Sequence, residues 1–167
     1  KAGMSELHPW VVGAARGALP EWAVARKKRR AHMGRVSALL REWGEGRGDD
    51  PRDVERWAAV GYLHDVLRDA DPDELRVASS VPLDHLPDEV VHGPAAADRL
   101  RQGGVADEPL LAAIAFHTLG SPDFDDIGKA LYVADFLEPG RKLHPKWRTR
   151  LRDEMPEGLN SVAQAVV

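Results

Sequence analysis

The chain has 167 residues, of which 43% are hydrophobic and 30% are charged, and its formal net charge is −4. This length suits one domain with a sizeable core, and the acidic balance disfavours general nucleic-acid binding. Cysteine is absent, which excludes disulfides, thiolate zinc sites and cysteine nucleophiles, so a metal would need nitrogen and oxygen ligands. No apolar run approaches the roughly 20 residues of a membrane span and no signal peptide is apparent, so we expect a cytoplasmic protein without a membrane partner.

The first half of the chain reads as helices separated by turns rich in Gly, Pro and Asp. Apolar residues at helical spacing predict a strong helix over about 22–43. Residues 44–53 are predicted to form a turn, with Asp53 capping the helix that follows and runs through His64. A short helix is expected near 73–80. Period-two alternation is scarce, so this half favours an all-α fold.

The second half continues the helical pattern. Residues 81–91 read as a loop, and Pro94 fits the first turn of the next helix, where its missing N–H has no partner to lose. Further helices are predicted over 107–117 and 125–137, and the tail at 146–167 is more weakly amphipathic. The sequence therefore predicts an all-α domain.

Histidine and aspartate residues interrupt the apolar faces of these helices. The stretch GYLHDVLRD (61–69) places two ionisable groups side by side in a predicted buried helix, which is costly unless they are paired or bind a metal. Six such residues come from five segments: His32, His64, Asp65, His92, His117 and Asp135. Four imidazoles and two carboxylates suit Fe, Mn, Co, Ni or Zn, and six ligands suit two metals better than one, with Asp65 as the natural bridge. The remaining loop histidines have no matching partners, and we interpret them as ordinary: His8, His85 and His144.

The order His…HisAsp…Asp resembles the HD-domain metal-dependent phosphohydrolase superfamily. Within it, RRAHMGRV, YLHDVLRD, VVHGPAAA, AIAFHTLG and KALYVADFLEPGR are similar to the YqeK family, the bacterial symmetrical dinucleoside-tetraphosphate hydrolases. The resemblance covers about 22–142. It implies one domain over 1–167, folded as an HD-type helical bundle with a metal site in its core.

The resemblance also implies a ligand set and an activity. Two metal ions are expected, most typically iron. One would be held by His32, His64, Asp65 and Asp135, and the other by Asp65, His92 and His117. The implied reaction is cleavage of diadenosine tetraphosphate at its centre to give two ADP.

The chemistry of phosphoanhydride hydrolysis suggests roles for individual residues. Two metals can activate water and clamp the phosphoryl oxygens, so the hypothesis is that a hydroxide held between them attacks phosphorus while Asp65 orients it. Four cations are candidates for binding phosphates: Arg29, Arg68, Lys129 and Arg141. Arg68 is also a candidate catalytic residue; the family usually has Lys there, and Arg cannot transfer a proton.

Several alternatives remain open at this level. The chain could be another HD-type phosphohydrolase, acting on a nucleoside mono- or diphosphate or an alarmone. A di-iron HD-type oxygenase and a nucleotide-binding module without turnover are further classes. We interpret the run RKKRR (26–30) as an exposed basic helix start with one arginine turned toward the site, so the expected partner is a nucleotide and not a nucleic acid. The chain could be a monomer or a homodimer.

Overall fold

Residues 7–166 are described by a computed structural model, and in that range the chain forms nine α-helices and no strand. The helices are α1 (Pro9–Ala15), α2 (Lys27–Gly46), α3 (Pro51–Leu63), α4 (Pro72–Ala78), α5 (His92–Gln102), α6 (Glu108–Ala115), α7 (Asp126–Leu137), α8 (Pro145–Asp153) and α9 (Leu159–Val166). The predicted all-α class is confirmed. Within residues 7–166, no helix combines the length and apolarity needed to cross a bilayer.

The start of the first long helix was predicted too early. Residues 21–26 form a turn and an irregular segment, and Val24 pairs with the segment that follows α3: Val24 N–H donates to Val66 O (2.8 Å) and Asp69 N–H donates to Val24 O (3.2 Å). The Asp69 side chain also accepts from Arg26 N–H at 2.8 Å, immediately before α2. Tertiary hydrogen bonds therefore override a periodic pattern that continues smoothly through this segment.

The cap of α3 was also misassigned. Asp50, not Asp53, is the N-cap, and its side chain accepts from the Asp53 N–H at 3.0 Å. Pro51 follows as the first helical residue, a position that suits proline. Short helix α1 was not predicted; its N-cap is His8, whose Nδ1 accepts from the Trp10 N–H at 3.0 Å.

The His-Asp doublet lies at a helix end and not in the middle of a helix. Helix α3 stops at Leu63, and His64 is its C-cap. Tight turns follow, with Val66 N–H donating to Leu63 O (3.1 Å) and Arg68 N–H donating to Asp65 O (2.9 Å). The change from helix to tight turns is what the helical pattern did not reveal.

Two glycines allow the helices that carry the site to pack closely. A Cβ on Gly61 would lie 2.7 Å from Ser37 Cα, so α3 crosses α2 with backbone nearly touching backbone. A Cβ on Gly93 would lie 2.9 Å from the carbonyl oxygens of Ile114 and Ala115, so the start of α5 abuts the end of α6. Each close contact brings two histidine-bearing segments together.

Buried tryptophans and a buried arginine complete the frame. Trp43 and Trp57 fill the core, as their positions on apolar faces predicted. Arg148 of α8 is buried, and its guanidinium donates to the carbonyls of Phe136 and Leu143 and lies 4.3 Å from the Phe136 ring centre. It satisfies a carbonyl at the end of α7 that has no helical partner and places positive charge at that helix terminus.

Candidate metal centre

The six predicted metal-binding side chains meet in one cluster. Each comes from a different place on the bundle, mostly at helix ends: the second turn of α2, the C-cap of α3 and the residue after it, the first residue of α5, the turn after α6 and the last turn of α7. Five of the six residues are buried, and the side chain of the sixth, Asp135, is 21% exposed. The structure thus brings together residues that are up to 103 positions apart in the chain.

Asp65 lies at the centre of the cluster, between two pairs of imidazoles. Its Oδ1 is 3.2 Å from Nε2 of both His92 and His117. Its Oδ2 is 3.5 Å from Nε2 of His64 and 3.6 Å from Nε2 of His32. One oxygen therefore faces each pair, which is the arrangement a bridging carboxylate requires.

Asp135 completes the side of the cluster that contains His32 and His64. Its Oδ1 is 3.0 Å from His32 Nε2 and 3.6 Å from His64 Nε2. On the opposite side, His92 Nε2 and His117 Nε2 are 3.1 Å apart. The Nε2 atoms of the four imidazoles and the oxygens of the two carboxylates therefore all face the interior of the cluster.

Hydrogen bonds on the outer nitrogens orient three of the four imidazoles. The Nδ1 pairs are His64 with the Gly61 carbonyl (2.7 Å), His117 with the Ile114 carbonyl (2.8 Å) and His32 with the Glu138 carboxylate (2.8 Å). An Nδ1–H that donates leaves the Nε2 lone pair free to bind a metal. Within residues 7–166, the buried Nε2 atoms of His32 and His64 have no hydrogen-bond partner, and for His92 the atom without one is Nδ1.

The electrostatics hold the two carboxylates ionised. Burial acts to raise the pKa of Asp65, but His64, His117 and His92 outweigh it, so the pKa lies well below its usual value. The pKa of Asp135 is likewise well below its usual value, because His32 and His64 outweigh burial. Both groups are therefore anionic acceptors at neutral pH.

The imidazoles differ in charge preference. Burial acts to lower the pKa of His64, but the Asp65 and Asp135 carboxylates overcome it and raise the pKa to about 9. For His92, burial is the largest effect and lowers the pKa, with help from His117 and Arg68. His64 is thus protonated at neutral pH in the metal-free protein, whereas His92 is neutral.

The spacing of the inward atoms fits metal coordination. Ligands bonded to one metal at about 2.1 Å lie roughly 3.0 Å apart in octahedral and 3.4 Å apart in tetrahedral geometry, and the distances above run from 3.0 to 3.6 Å. The ligand atoms form two groups of three, and within each group all three atoms lie within 4.8 Å of one another. The groups are His32, His64 and Asp135, and His64, Asp65 and His117. His64 belongs to both groups. His92 adjoins the second group, because its Nε2 lies 3.2 Å from Asp65 Oδ1 and 3.1 Å from His117 Nε2. The donor set and its spacing therefore suit metal ions.

A cavity of about 430 Å³ opens onto this cluster. Three of the four predicted phosphate-binding residues line it: Arg29, Arg68 and Arg141. Arg29 contacts the cluster directly, with Nη1 at 3.7 Å from Asp65 Oδ2, and its Nη2 is 3.6 Å from Asp69 Oδ1. Arg141 donates from Nε to the Asp135 carbonyl at 2.8 Å, and its Nη2 is 3.3 Å from Asp135 Oδ1. The cavity thus has an anionic floor and a cationic wall.

The structure does not bring Lys129 to the cavity. Its Nζ donates to Asn160 Oδ1 of α9 at 3.0 Å. Lys129 is not among the residues that line the cavity, so its contact with phosphate stays a prediction from the sequence.

Comparison with known proteins places this geometry in a family. The sequence model of the HD domain matches residues 29–140, which contain all six clustered residues. The chain belongs to the HD domain family. A solved structure from Clostridium acetobutylicum, described as a "predicted HD superfamily hydrolase involved in NAD metabolism", superposes on this HD domain with a TM-score of 0.68 and 26% sequence identity, covering 81% of this chain and 73% of that one.

Curated relatives of this HD domain carry a more specific name. Proteins named "Bis(5'-nucleosyl)-tetraphosphatase, symmetrical" match it from Halalkalibacterium halodurans (30% identity over 111 residues, 62% of this chain), Bacillus subtilis (47% over 60 residues, 35%) and Staphylococcus aureus (38% over 56 residues, 33%). The matches span 59%, 32% and 29% of the lengths of those relatives. The resemblance to the symmetrical tetraphosphatases is thereby confirmed, over part of their length.

Sequence reasoning missed five residues at this site, of which Glu89 and Thr118 line the cavity. Tyr132 and Phe136, one turn apart on α7, also line the cavity. Glu138 contacts His32 from behind and is itself buried. The pairing of residues 131 and 135 on one face of α7 could have pointed to Tyr132 and Phe136 as their neighbours, but nothing local in EPGR identifies a glutamate whose partner is 106 residues away.

Proposed function

We propose that this HD domain hydrolyses dinucleoside tetraphosphates symmetrically, converting diadenosine tetraphosphate to two ADP. The observation that carries the proposal is the position of Asp65 between two imidazole pairs, on the floor of a cavity whose wall holds three arginines. The names of the curated relatives support the choice of substrate.

Two metal ions, most typically iron, complete the proposed site. His32, His64, Asp65 and Asp135 would hold one, and Asp65, His92 and His117 would hold the other. When bound, such metals lower the pKa of water and neutralise charge on phosphoryl oxygens. Asp65 would orient the attacking water because one of its oxygens faces each ligand group.

The arginines account for the rest of the chemistry. Phosphoryl transfer places negative charge on the equatorial oxygens and on the leaving group, and positively charged side chains stabilise it. Arg29 lies beside the Asp65 carboxylate and Arg141 lies beside the Asp135 carboxylate. Arg68 lines the same cavity. The leaving group is itself a phosphate, which can depart as an anion, so Arg68 contributes charge and hydrogen bonds and need not supply a proton.

Product analysis tests this proposal directly. The protein is purified without chelator, its metal content is measured, and products from diadenosine tetraphosphate are separated by chromatography with Fe²⁺ or Mn²⁺ under reducing conditions. Two ADP per substrate is the expected result, whereas ATP plus AMP would refute symmetric cleavage. Phosphate release from nucleoside diphosphates without ADP formation would indicate a different HD phosphohydrolase.

A substitution at the centre of the cluster tests the role of the metal site. Asp65→Ala should lose bound metal and all turnover, because Asp65 faces both ligand groups. Asp123→Ala is the control, since Asp123 is an exposed aspartate outside the cavity lining. Full activity of Asp65→Ala would contradict the mechanism.

A further inference from the structure

Glu138 is a buried carboxylate that does not line the cavity but contacts the residues that build it. It is the C-cap of α7, three residues after Asp135, and its side chain is 3% exposed. Its oxygens accept from His32 Nδ1 (2.8 Å), from Arg35 Nε (2.7 Å) and from the Gly140 N–H. One side chain therefore gathers donors from α2 and from the turn that follows α7.

The contact with His32 distinguishes this imidazole from its neighbours. His64 and His117 donate Nδ1–H to backbone carbonyls, whereas His32 donates to a carboxylate. An anionic acceptor fixes the ring and makes Nε2 a stronger metal ligand. Arg35 holds Glu138 in place with a second contact, from Nη2 at 3.3 Å.

The contacts with the following turn reach the cationic wall. The Glu138 carboxylate accepts from Gly140 N–H, and the Glu138 carbonyl accepts from Arg141 N–H at 3.0 Å. The Arg141 side chain then folds back onto the Asp135 carbonyl at 2.8 Å. The position of this guanidinium in the cavity wall thus depends on a turn whose bonds converge on Glu138.

We propose that Glu138 is a positioning residue that couples the metal-binding cluster to the arginine wall of the cavity. It orients His32 toward the metal, and it holds the turn that presents Arg141 to phosphate. The inference rests on the proposed function in taking Arg141 as a phosphate-binding residue. Replacing Glu138 by glutamine keeps its size but leaves one acceptor oxygen and adds an NH₂ group, which cannot accept from donors on both sides.

The first test measures metal binding without any turnover. Metal-depleted Glu138→Gln should bind Mn²⁺ about 10–100-fold more weakly than the parent, the usual effect of losing such a partner. Glu55→Gln is the matched control, because Glu55 also pairs with an arginine (Arg41, 2.9 Å) but contacts no cluster residue. Calorimetric titration gives the Mn²⁺ affinity of each protein, and elemental analysis gives its metal content. Parent-like Mn²⁺ affinity in Glu138→Gln would overturn the proposal.

The second test asks whether Glu138 acts through Arg141. Pyrophosphate binding is measured by calorimetry at saturating Mn²⁺, confirmed by elemental analysis, in the parent, Glu138→Gln, Arg141→Ala and the double variant. Each single substitution should weaken binding by roughly 10-fold, and Glu138→Gln should add less than about twofold once Arg141 is gone, because coupled residues are not additive.

Two results would overturn the coupling. One is an undiminished effect of Glu138→Gln in the Arg141→Ala background, and the other is parent-like pyrophosphate binding by Arg141→Ala. Neither measurement needs turnover, so both are separate from a failure of the proposed function. That failure would appear as a parent protein that forms no ADP from diadenosine tetraphosphate.

Discussion

Metal binding by this domain should release a proton from His64. In the metal-free protein the carboxylates of Asp65 and Asp135 raise the pKa of His64 to about 9, despite burial. At pH 8 such a group is about 90% protonated, whereas an ordinary imidazole is only about 3% protonated. Because Nε2 must be neutral to bind a metal, we expect about 0.9 proton to leave His64 as the metal enters.

The same proton sets the pH dependence of affinity. At pH 8 the apparent metal affinity should be about 10-fold below its limiting value above pH 9, a cost of about 1.4 kcal/mol. The folding stability of the metal-free protein depends on pH in the opposite direction. A raised pKa stabilises the folded state fully below the unfolded value of 6.5, and that stability is lost as pH rises through about 9.

Calorimetry in paired buffers measures this proton. Metal-depleted protein is titrated with Mn²⁺ under anaerobic conditions at pH 8, in two buffers with different ionisation enthalpies, and the slope of observed against buffer enthalpy counts the protons released. His85→Ala serves as a control because His85 is exposed and outside the cluster. A release below about 0.3 proton, with affinity unchanged from pH 7.5 to 9, would refute the reasoning.

Two further predictions concern stability. Gly61→Ala should destabilise the metal-free protein by about 1–2 kcal/mol in urea unfolding, because its Cβ would lie 2.7 Å from Ser37 Cα and overpacking outweighs better helix propensity. Gly34→Ala, whose nearest contact would be 3.8 Å away, should be neutral or stabilising, and equal behaviour of the two would contradict the close crossing. Arg35, His32 and Gly140 outweigh burial and lower the pKa of Glu138 from 4.5 to about 2, so its stability contribution is present above 4.5 and lost as pH falls toward 2. The stability gap between the parent and Glu138→Gln should therefore shrink across that window in acid-titrated unfolding curves, and a constant gap would count against the charge of Glu138.

The elements and the ligand cluster were largely predictable because their signals are local. Helical spacing predicted the helices around positions 32, 114 and 131, and the HisAsp doublet stood out because ionisable groups on an apolar face need a partner. The site residues whose roles depend on the backbone were not predictable in this way. His64 lies at a helix end because the turns after Leu63 bond to residues 24–26, and nothing in GYLHDVLRD encodes that pairing.

Long-range partners explain the remaining misses. Charge alone makes Lys129 a candidate, but its Nζ donates to Asn160 of α9, 31 residues further along the chain. Glu138 escaped notice because a glutamate after a helix resembles an ordinary end signal, and its partner His32 is 106 residues away. Charge alone identifies candidates, but only the packing of α2 against the end of α7 decides which of them contact the site.

Arg148 gives the domain a boundary that differs from the limits of its family signature. The signature ends at residue 140, yet the carbonyl at the end of α7 is bonded to a guanidinium eight residues further on, and Arg152 donates to the Leu137 carbonyl at 2.6 Å. A chain cut at the signature would lack Arg141 itself and would leave those carbonyls near Asp135 without their guanidinium partners. The smallest unit expected to retain the whole site therefore includes α8, so sequence similarity and structural self-sufficiency end at different residues.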